Sequence, residues 1–314
     1  MSISKLKIGL LSGSLLLLLF SSILLYKRNF LGQDELIEKL LNAYYYSKVS
    51  YCEFNQVNTW NCGTSCSYHQ EVRSVQTFNN QEFKSQGFCG YDIKTESIIV
   101  AFRGTDQLQN WLSNINFVPV KYLDNDCKDC KIHQGFKNIL DSILFEMNQC
   151  VINLKKQYNS TSILITGHSL GGAMATLFSV QLKKLLMNKF QQFDLITFGS
   201  PRVGNLEFVN YANQLLGKNS FRVVNYSDIV PHLPYNTLGF QHIGTEYWFD
   251  DQQNPYSYFI CSSTEKGESS MCANSKLINF SVKDHLHYFG IYSGCAAETL
   301  QDKQAENQDQ RKYE

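Results

Sequence analysis

SILITGHSLGG, residues 162–172, places an apolar strand directly before a turn of small residues and a long helix rich in Ala, Gly and Leu. A serine at a sharp strand-to-helix turn needs glycines beside it, because the backbone turns steeply and neighbouring elements approach closely. Gly167 and Gly171 flank Ser169 in this way. The pattern is typical of a nucleophile elbow and predicts that Ser169 attacks a substrate. The alternative is a packed turn serine without chemistry.

Strands and helices alternate around this turn. The predicted elements are, in order, a helix (34–46), a hairpin (83–91 and 97–102), a helix (134–157), the strand 162–166, a helix (172–188) and strands at 193–198, 221–225 and 245–249. This alternation predicts an α/β fold with a mostly parallel central sheet flanked by helices. The length of 314 residues does not demand a second domain.

A nucleophilic serine needs a base to remove its proton and an acid to hold that base. In an elbow of this kind the acid follows the serine along the chain, and the histidine comes last. Asp228 lies just after the predicted strand 221–225, and His285 lies in a short segment near the end. We therefore predict Asp228 as the acid and His285 as the base.

Other residues leave alternatives for both roles. The rival acids are Asp194, Asp250 and Asp251, and the rival bases are His133, His242 and His287. Asp194 begins a strand, and the other two aspartates resemble solvated turn residues. A lone histidine is more often structural than catalytic, so position has to decide, and His287 is the strongest rival base.

An oxyanion is stabilised by two preorganised N–H donors, one of them normally from the residue after the nucleophile. That residue is Leu170, and Thr105, which follows the strand 97–102, is the predicted second donor. The alternative role of the Thr105 hydroxyl is to cap the helix that begins nearby.

Residues 106–117 form an amphipathic segment. One face carries Leu108, Trp111, Leu112 and Ile115. Such a stripe can cover the site in water and bind a lipid surface when it is displaced, which predicts a lid. The alternative is a helix that simply packs on the core.

The termini and the cysteines indicate export. Residues 8–26 are almost uninterruptedly apolar with basic residues on both flanks, so we expect residues 1–27 to be a signal peptide or a signal anchor of a secreted or secretory-lumen protein. Residues 297–314 are polar and are expected to be disordered. Ten cysteines suit disulfides in an oxidising compartment. The alternative, zinc at Cys127 and Cys130, lacks a second pair at suitable spacing.

The charge balance narrows the class of partner. The chain carries 28 basic and 28 acidic residues without a dominant block, which excludes a nucleic-acid footprint. We expect a monomer. Three sequons permit glycosylation, at Asn159, Asn225 and Asn279, and only Asn159 is expected to be well exposed.

Several linked motifs complete the pattern. They are VAFRGT (100–105), HQGF (133–136), TGHSLGGA (166–173), TFGSPRVG (197–204), DIVPHLP (228–234) and DHLHYFG (284–290). With these motifs the chain resembles the class 3 lipases, the fungal-type triacylglycerol lipase and feruloyl esterase family, over nearly all of residues 34–296. The resemblance implies an α/β-hydrolase fold with a helical lid over 106–117, and it implies no metal or cofactor.

The resemblance also assigns roles to residues. It implies Ser169 as nucleophile, Asp228 as acid and His285 as base, because the family's histidine is second in an Asp-His-x-x-Tyr motif, and this weakens the case for His287. It implies Thr105 and Leu170 as the oxyanion donors. The disulfides that it implies are Cys52–Cys295, Cys62–Cys66, Cys127–Cys130 and Cys261–Cys272. Cys89 and Cys150 remain as a pair without a family position.

The scaffold alone does not choose the substrate, because lipases and feruloyl esterases share it. The apolar lid favours acylglycerols at a lipid–water interface. The alternatives are a feruloyl or aryl esterase, a phospholipase or galactolipase, and a catalytically inactive lipid-binding protein.

Overall fold

The computed structural model describes residues 33–114, 116–186, 189–251, 253–262, 267–276 and 280–295. The chain divides into two units, residues 1–41 and 42–314. Of the first unit the structure describes residues 33–41, the start of a helix that runs over residues 33–49. The predicted signal segment, the predicted polar tail and Ile115 lie outside the described residues. Within these ranges, no helix is long and apolar enough to cross a membrane.

The second unit is built on an eight-stranded sheet. Its strands are, in sheet order, β1 (Val72–Asn80), β2 (Ser85–Asp92), β3 (Ser97–Phe102), β6 (Ser162–His168), β7 (Gln192–Phe198), β8 (Ser220–Asn225), β9 (Thr245–Phe249) and β10 (Phe259–Ser262). Within this sheet β3, β6, β7, β8 and β9 are parallel. Strands β1 and β2 at one edge and β10 at the other pair antiparallel with their neighbours. The predicted α/β architecture with a mostly parallel central sheet is confirmed.

Helices and short hairpins connect these strands. The helices are α1 (33–49), α2 (Phe54–Asn58), α3 (Thr64–Ser67), α4 (Leu108–Asn114), α5 (Gln134–Asp141), α6 (Leu144–Tyr158), α7 (Leu170–Leu186), α8 (Leu206–Leu216) and α9 (Val282–His285). Two small antiparallel pairs join β4 (Pro119–Lys121) to β5 (Lys131–His133) and β11 (His287–Tyr288) to β12 (Ile291–Tyr292). Helix α7 is buried along almost its whole length, which fixes the turn of Ser169 before its N-terminus against the sheet.

The structure corrects three of the predicted elements. The single helix predicted over 134–157 is two helices, α5 and α6, because Ile143 (φ −133°, ψ 5°) leaves the helical conformation between them. The second correction is that β2 begins at Ser85, two residues later than predicted, after a turn that contains Phe83. The third is that strand β1 was not predicted, since much of it is polar and exposed.

Five disulfides pair all ten cysteines, each of which lies in the described part of the chain. Four pairs are those that the resemblance implies, Cys52–Cys295, Cys62–Cys66, Cys127–Cys130 and Cys261–Cys272. The fifth, Cys89–Cys150, joins β2 to α6. The Cys52–Cys295 pair spans 243 residues of sequence and ties the chain before α2 to the segment that follows β12.

Candidate active site

Ser169 occupies a strained turn between β6 and α7. Its φ of +59° lies in the left-handed region, and its N–H donates to the Phe198 carbonyl at 2.8 Å. A Cβ on Gly167 would lie 2.3 Å from the Gly171 carbonyl oxygen, and one on Gly171 would lie 2.1 Å from the carbonyl oxygen of Phe102. Gly167 is therefore needed for the tight turn into α7 and Gly171 for the close approach to β3, as the sequence pattern predicts.

His285 and Asp228 form a buried pair at the carboxyl end of the sheet. Nδ1 of His285 lies 2.9 Å from each carboxylate oxygen of Asp228, and both side chains are 0% exposed. The carboxylate also accepts from the Val230 N–H at 2.8 Å and from the Tyr288 hydroxyl at 2.6 Å. Because Nδ1 carries the proton that faces the carboxylate, Nε2 keeps a free lone pair.

His285 packs against the residue that precedes Ser169. The His285 ring lies 4.4 Å, centroid to centroid, from the ring of His168, the residue directly before Ser169. Among the described residues, neither Ser169 Oγ nor His285 Nε2 has a hydrogen-bond partner, although both atoms are buried. Two buried atoms without other partners are available to pair with each other, and such catalytic hydrogen bonds often tighten only when substrate binds.

Gly199 makes room for the acid–base pair and was not predicted as a site residue. Its φ is +54°, and a Cβ there would lie 2.7 Å from Asp228 Oδ2 and 2.8 Å from His285 Nδ1. Any side chain at this position would therefore collide with the pair. The signal in the sequence is Gly199 itself within the motif at 197–204, and its role becomes visible only in the fold.

The two predicted oxyanion residues belong to segments that adjoin Ser169. Leu170 is the first residue of α7, where helix amides have no partner within the helix. Thr105 follows Gly104, whose hypothetical Cβ would lie 3.0 Å from Ser169 Cβ, so this loop runs against the nucleophile. The Thr105 hydroxyl accepts from the Gln107 N–H at 3.1 Å. This bond uses an acceptor lone pair of the hydroxyl, so its own O–H proton, like the backbone N–H of Thr105, is still able to donate.

The predicted lid corresponds to α4, which is shorter than the segment 106–117. Leu108 is buried, and Trp111 and Leu112 are half-buried. The Trp111 ring is stacked near Phe136 of α5, with centroids 6.4 Å apart and planes 19° apart. The apolar face of α4 therefore lies against the protein in this structure, and the fourth predicted member, Ile115, is outside the described residues.

The rival bases are held by backbone groups. His133 accepts a hydrogen bond from the first turn of α5 as its N-cap, and burial lowers the pKa of His133 to about 4. His242 donates from Nε2 to the Pro231 carbonyl at 2.7 Å, and burial holds the pKa of its imidazole well below the usual range. His287 donates from Nδ1 to the Lys283 carbonyl at 3.0 Å. The structure places His285, not these three, against Asp228.

The rival acids lie elsewhere. Asp194 is near the start of β7, at the opposite end from Ser169, and accepts from the Gln192 side chain at 2.7 Å. Asp250 and Asp251 follow β9, and Asp251 accepts from a nearby backbone N–H in a turn. In the ranges that the structure describes, no cluster of three or more His, Cys, Asp or Glu side chains could hold a metal ion.

Comparisons with known proteins identify the family. A family model described as lipase (class 3) matches residues 99–238. The lipase of Rhizomucor miehei is 36% identical over 238 residues, which cover 75% of this chain and 63% of the relative. This match therefore spans less than two thirds of that relative's length. The secreted mono- and diacylglycerol lipase 1 of Fusarium solani is 30% identical over 257 residues, covering 80% of this chain and 75% of the relative.

A solved structure gives the same answer. It is a triacylglycerol lipase whose catalytic centre is formed by a serine protease triad, and it superposes with a TM-score of 0.75 at 34% identity. The superposition covers 82% of this chain and 96% of that chain. The predicted family is confirmed, and the chain belongs to the class 3 lipases.

Proposed function

We propose that the protein hydrolyses carboxylic esters through an acyl-enzyme on Ser169, with His285 as the base and Asp228 as the acid that orients it. One observation supports this most directly. The Asp228–His285 pair is fully buried with the Nε2 lone pair unused, and the ring of His285 lies against the residue that precedes the strained Ser169. Such a pair is the arrangement that activates a serine hydroxyl.

The chemistry needs two similar steps. Ser169 Oγ attacks the ester carbonyl carbon while its proton moves to His285 Nε2, which gives a tetrahedral intermediate. The bond from carbon to the alcohol oxygen then breaks, and the alcohol leaves with the proton from Nε2. Water attacks the acyl-enzyme with the same base, which releases the carboxylic acid and restores Ser169. Neither step requires a metal or a cofactor.

Charge develops on the carbonyl oxygen in both intermediates. The amides of Leu170 and Thr105 are the proposed donors to that oxygen. Leu170 adds the favourable field of the α7 N-terminus. The carboxylate of Asp228, with donors from Val230 and Tyr288, offsets the positive charge that forms on the imidazole.

Acylglycerols are the proposed substrates, at a lipid–water interface. The support is the apolar face of α4, since Leu108 and Trp111 would be exposed to water if the helix moved away without a lipid surface to cover them. The relatives are named as lipases, one of them for mono- and diacylglycerols. A feruloyl or aryl esterase and a phospholipase use the same site chemistry, so the assay has to separate them.

The substrate class is tested by initial rates on a set of substrates, with the purified, disulfide-bonded protein. They fall into three classes, namely a long-chain triacylglycerol emulsion, a dispersed phospholipid, and soluble esters of which one is a short-chain ester and one a cinnamate ester. We expect the rate on the acylglycerol to rise steeply when the emulsion forms, because lid opening is then favoured. Activity confined to soluble esters would support the esterase alternative, and preference for the phospholipid would support the phospholipase. No activity on any of them would support the inactive binding protein.

Trp111→Ser is expected to lower the emulsion rate about 5- to 10-fold, because the variant loses an aromatic anchor of the lid. The rate on a soluble short-chain ester should stay within about twofold, because no part of the proposed triad changes. Phe145→Ser is the matched control. Phe145 is 70% exposed on α6, which packs against β1 and β2, so this variant should leave both rates unchanged. Equal losses for Trp111→Ser on both substrates would contradict a lid role.

The secretory route is proposed with residues 1–27 as signal peptide or anchor, residues 34–296 as the lipase domain and residues 297–314 as a polar tail. Disulfides support an oxidising compartment.

Asn159 offers a test of this route. It caps α6 in a left-handed conformation and is exposed, as is Thr161 of the same sequon. Asn225 instead donates its amide to the carbonyls of Asp284 and His287, at 3.1 and 2.8 Å. The full-length chain passed through a eukaryotic secretory host should therefore carry one glycan at Asn159 and none at Asn225.

Intact mass before and after glycosidase treatment measures this, with Thr161→Ala as the variant that removes the sequon and keeps Asn159. An unmodified Asn159 in protein recovered from the medium would contradict the prediction.

A further inference from the structure

A chain of hydrogen bonds links Tyr51 to the catalytic histidine through His168. The Tyr51 hydroxyl lies 2.8 Å from His168 Nδ1, and His168 Nε2 lies 2.8 Å from the backbone carbonyl oxygen of His285. A carbonyl oxygen only accepts, so Nε2 of His168 carries the proton and Nδ1 accepts from Tyr51. Each bond in the chain thus has one possible direction.

The His168 imidazole is neutral in this position. It is buried, and that burial holds the pKa of His168 well below its usual range, with the neighbouring His285 acting in the same direction. The ring centroids of His168 and His285 lie 4.4 Å apart, and those of His168 and Tyr288 lie 5.8 Å apart. A neutral ring matters here, because a cation would repel the positive charge that His285 acquires during the reaction.

Tyr51 also touches the loop that leads to the oxyanion donor. A Cβ on Gly104, the residue before Thr105, would lie 2.1 Å from the Tyr51 hydroxyl oxygen and 2.7 Å from the His168 carbonyl oxygen. One hydroxyl therefore lies where the oxyanion loop, the nucleophile elbow and the His285 backbone meet. Substrate is not required for any of these contacts.

The position of Tyr51 is itself fixed by its surroundings. The next residue, Cys52, is bonded to Cys295, and the Gln86 side chain donates to the carbonyls of Ser50 and Cys52 at 2.9 and 3.0 Å. The segment that carries Tyr51 is thus held on both sides. Because the segment is fixed, the Tyr51 hydroxyl can also fix the position of the groups to which it is hydrogen bonded.

We propose that Tyr51 and His168 are positioning residues of the ester hydrolase, which fix the backbone of His285 and so the distance between its Nε2 and Ser169 Oγ. The inference rests on the proposed function, since it assigns these residues a role in the acylation of Ser169. It extends that function to two residues that make no contact with the reacting atoms of an ester in the proposed mechanism. It also explains why a histidine stands directly before the nucleophile.

The test is Tyr51→Phe, which keeps the ring and removes the hydroxyl. We expect kcat on a soluble short-chain ester to fall about 3- to 10-fold, the effect of one hydrogen bond between neutral groups. KM should change less than about twofold, because the lost bond does not touch the substrate. An increase in KM without a fall in kcat, or no change in either constant, would overturn the proposal.

Tyr46→Phe is the matched control for a structural effect. Tyr46 is also buried and hydrogen bonded, but its hydroxyl donates to Asp92 at the end of β2. This variant should lower Tm without lowering kcat, because Asp92 loses a buried partner away from the site. If Tyr46→Phe and Tyr51→Phe lower kcat equally, the effect is general and the proposal fails.

Variants of His168 give a second, independent measurement. His168→Gln keeps an N–H donor near the position of Nε2, whereas His168→Leu removes it, so the glutamine variant should retain several times more activity than the leucine variant. The double variant with Tyr51→Phe should lose little beyond His168→Leu alone, because both act through one chain of bonds. If the fold-losses of the two single variants multiply in the double variant, the two residues act independently, which would contradict the proposal. If Ser169→Ala leaves hydrolysis intact, the proposed function fails instead, whatever these variants show.

Discussion

Ser169→Ala is expected to lower kcat for ester hydrolysis by roughly 10⁴- to 10⁶-fold, measured on the purified protein with a soluble ester. The variant removes the oxygen that forms the acyl-enzyme in the proposed mechanism, and no other hydroxyl lies between Gly167 and Gly171. The fold should be unaffected, since alanine keeps the Cβ and the backbone N–H bond to Phe198 stays in place. A residual rate above that of water is expected from the oxyanion donors.

The control for this variant is a second buried serine, on the helix that follows the turn of Ser169. Ser179 of α7 is buried, and within the described residues its hydroxyl has no hydrogen-bond partner, as for Ser169. Ser179→Ala should therefore keep full activity and the same Tm. Hydrolysis by Ser169→Ala within about tenfold of the parent protein would remove Ser169 from the mechanism and with it the proposed function.

The nucleophile turn was predictable because its signal is local. Gly167 and Gly171 are required by contacts within a few residues of Ser169 and by one neighbouring strand. Apolar runs of strand length between helices also predict the parallel sheet, since a single helix, α7 or α8, joins β6 to β7 and β7 to β8. Patterns between residues that are close together in sequence can be recognised from a single sequence.

The break between α5 and α6 had no such signal. The apolar period continues across it, and neither Gly nor Pro stands at Ile143. Strand β1 shows the opposite failure, because it is polar on much of its length and is held in place by pairing with β2. In both cases the tertiary neighbours decide the local conformation, which a window of sequence does not contain.

The residues of the site also divide into those that the sequence predicts and those that only the fold reveals. Residue order along the chain selects Asp228 and His285, and the family motif decides against His287. Gly199 and Tyr51 could not be predicted as site residues, because their roles come from contacts with residues far away in sequence. The pair Cys89–Cys150 is a similar case, since only the packing of α6 on β2 brings its members together.

The loop that follows Asp228, the proposed acid, is held by contacts that do not involve its carboxylate. Arg202 donates from Nη1 to the carbonyls of His232 and Pro234, at 2.6 and 2.9 Å. The same guanidinium forms two further bonds to the carboxylate of Glu268, at 2.7 and 2.9 Å, and all of these groups are buried. A bidentate pair of this kind gives geometric rigidity. The loop after Asp228 should therefore keep its conformation when the charge of Asp228 is removed.

Asp228→Asn is accordingly expected to preserve the geometry and to lower kcat about 10⁴-fold. An asparagine at this position accepts through one oxygen only, and that oxygen has three competing donors, Val230 N–H, the Tyr288 hydroxyl and His285 Nδ1. If the amide instead presents its NH₂ group to His285, the ring must accept at Nδ1 and carry its proton on Nε2, where it cannot take the proton of Ser169. The measurement is kcat on a soluble ester, with a crystal structure or a thermal melt to establish that the fold is intact.

Asp194→Asn is the control that separates the role of Asp228 from the general effect of losing a buried carboxylate. Asp194 is also almost fully buried, but it lies near the start of β7, at the far end from the nucleophile. Its variant should retain kcat even if Tm falls. If both variants lose activity in proportion to their loss of Tm, then Asp228 supports the fold rather than the base, and an acid other than Asp228 must orient His285. A loss confined to Asp228→Asn, with Tm unchanged, requires a direct electrostatic role, because no difference in packing remains to explain it.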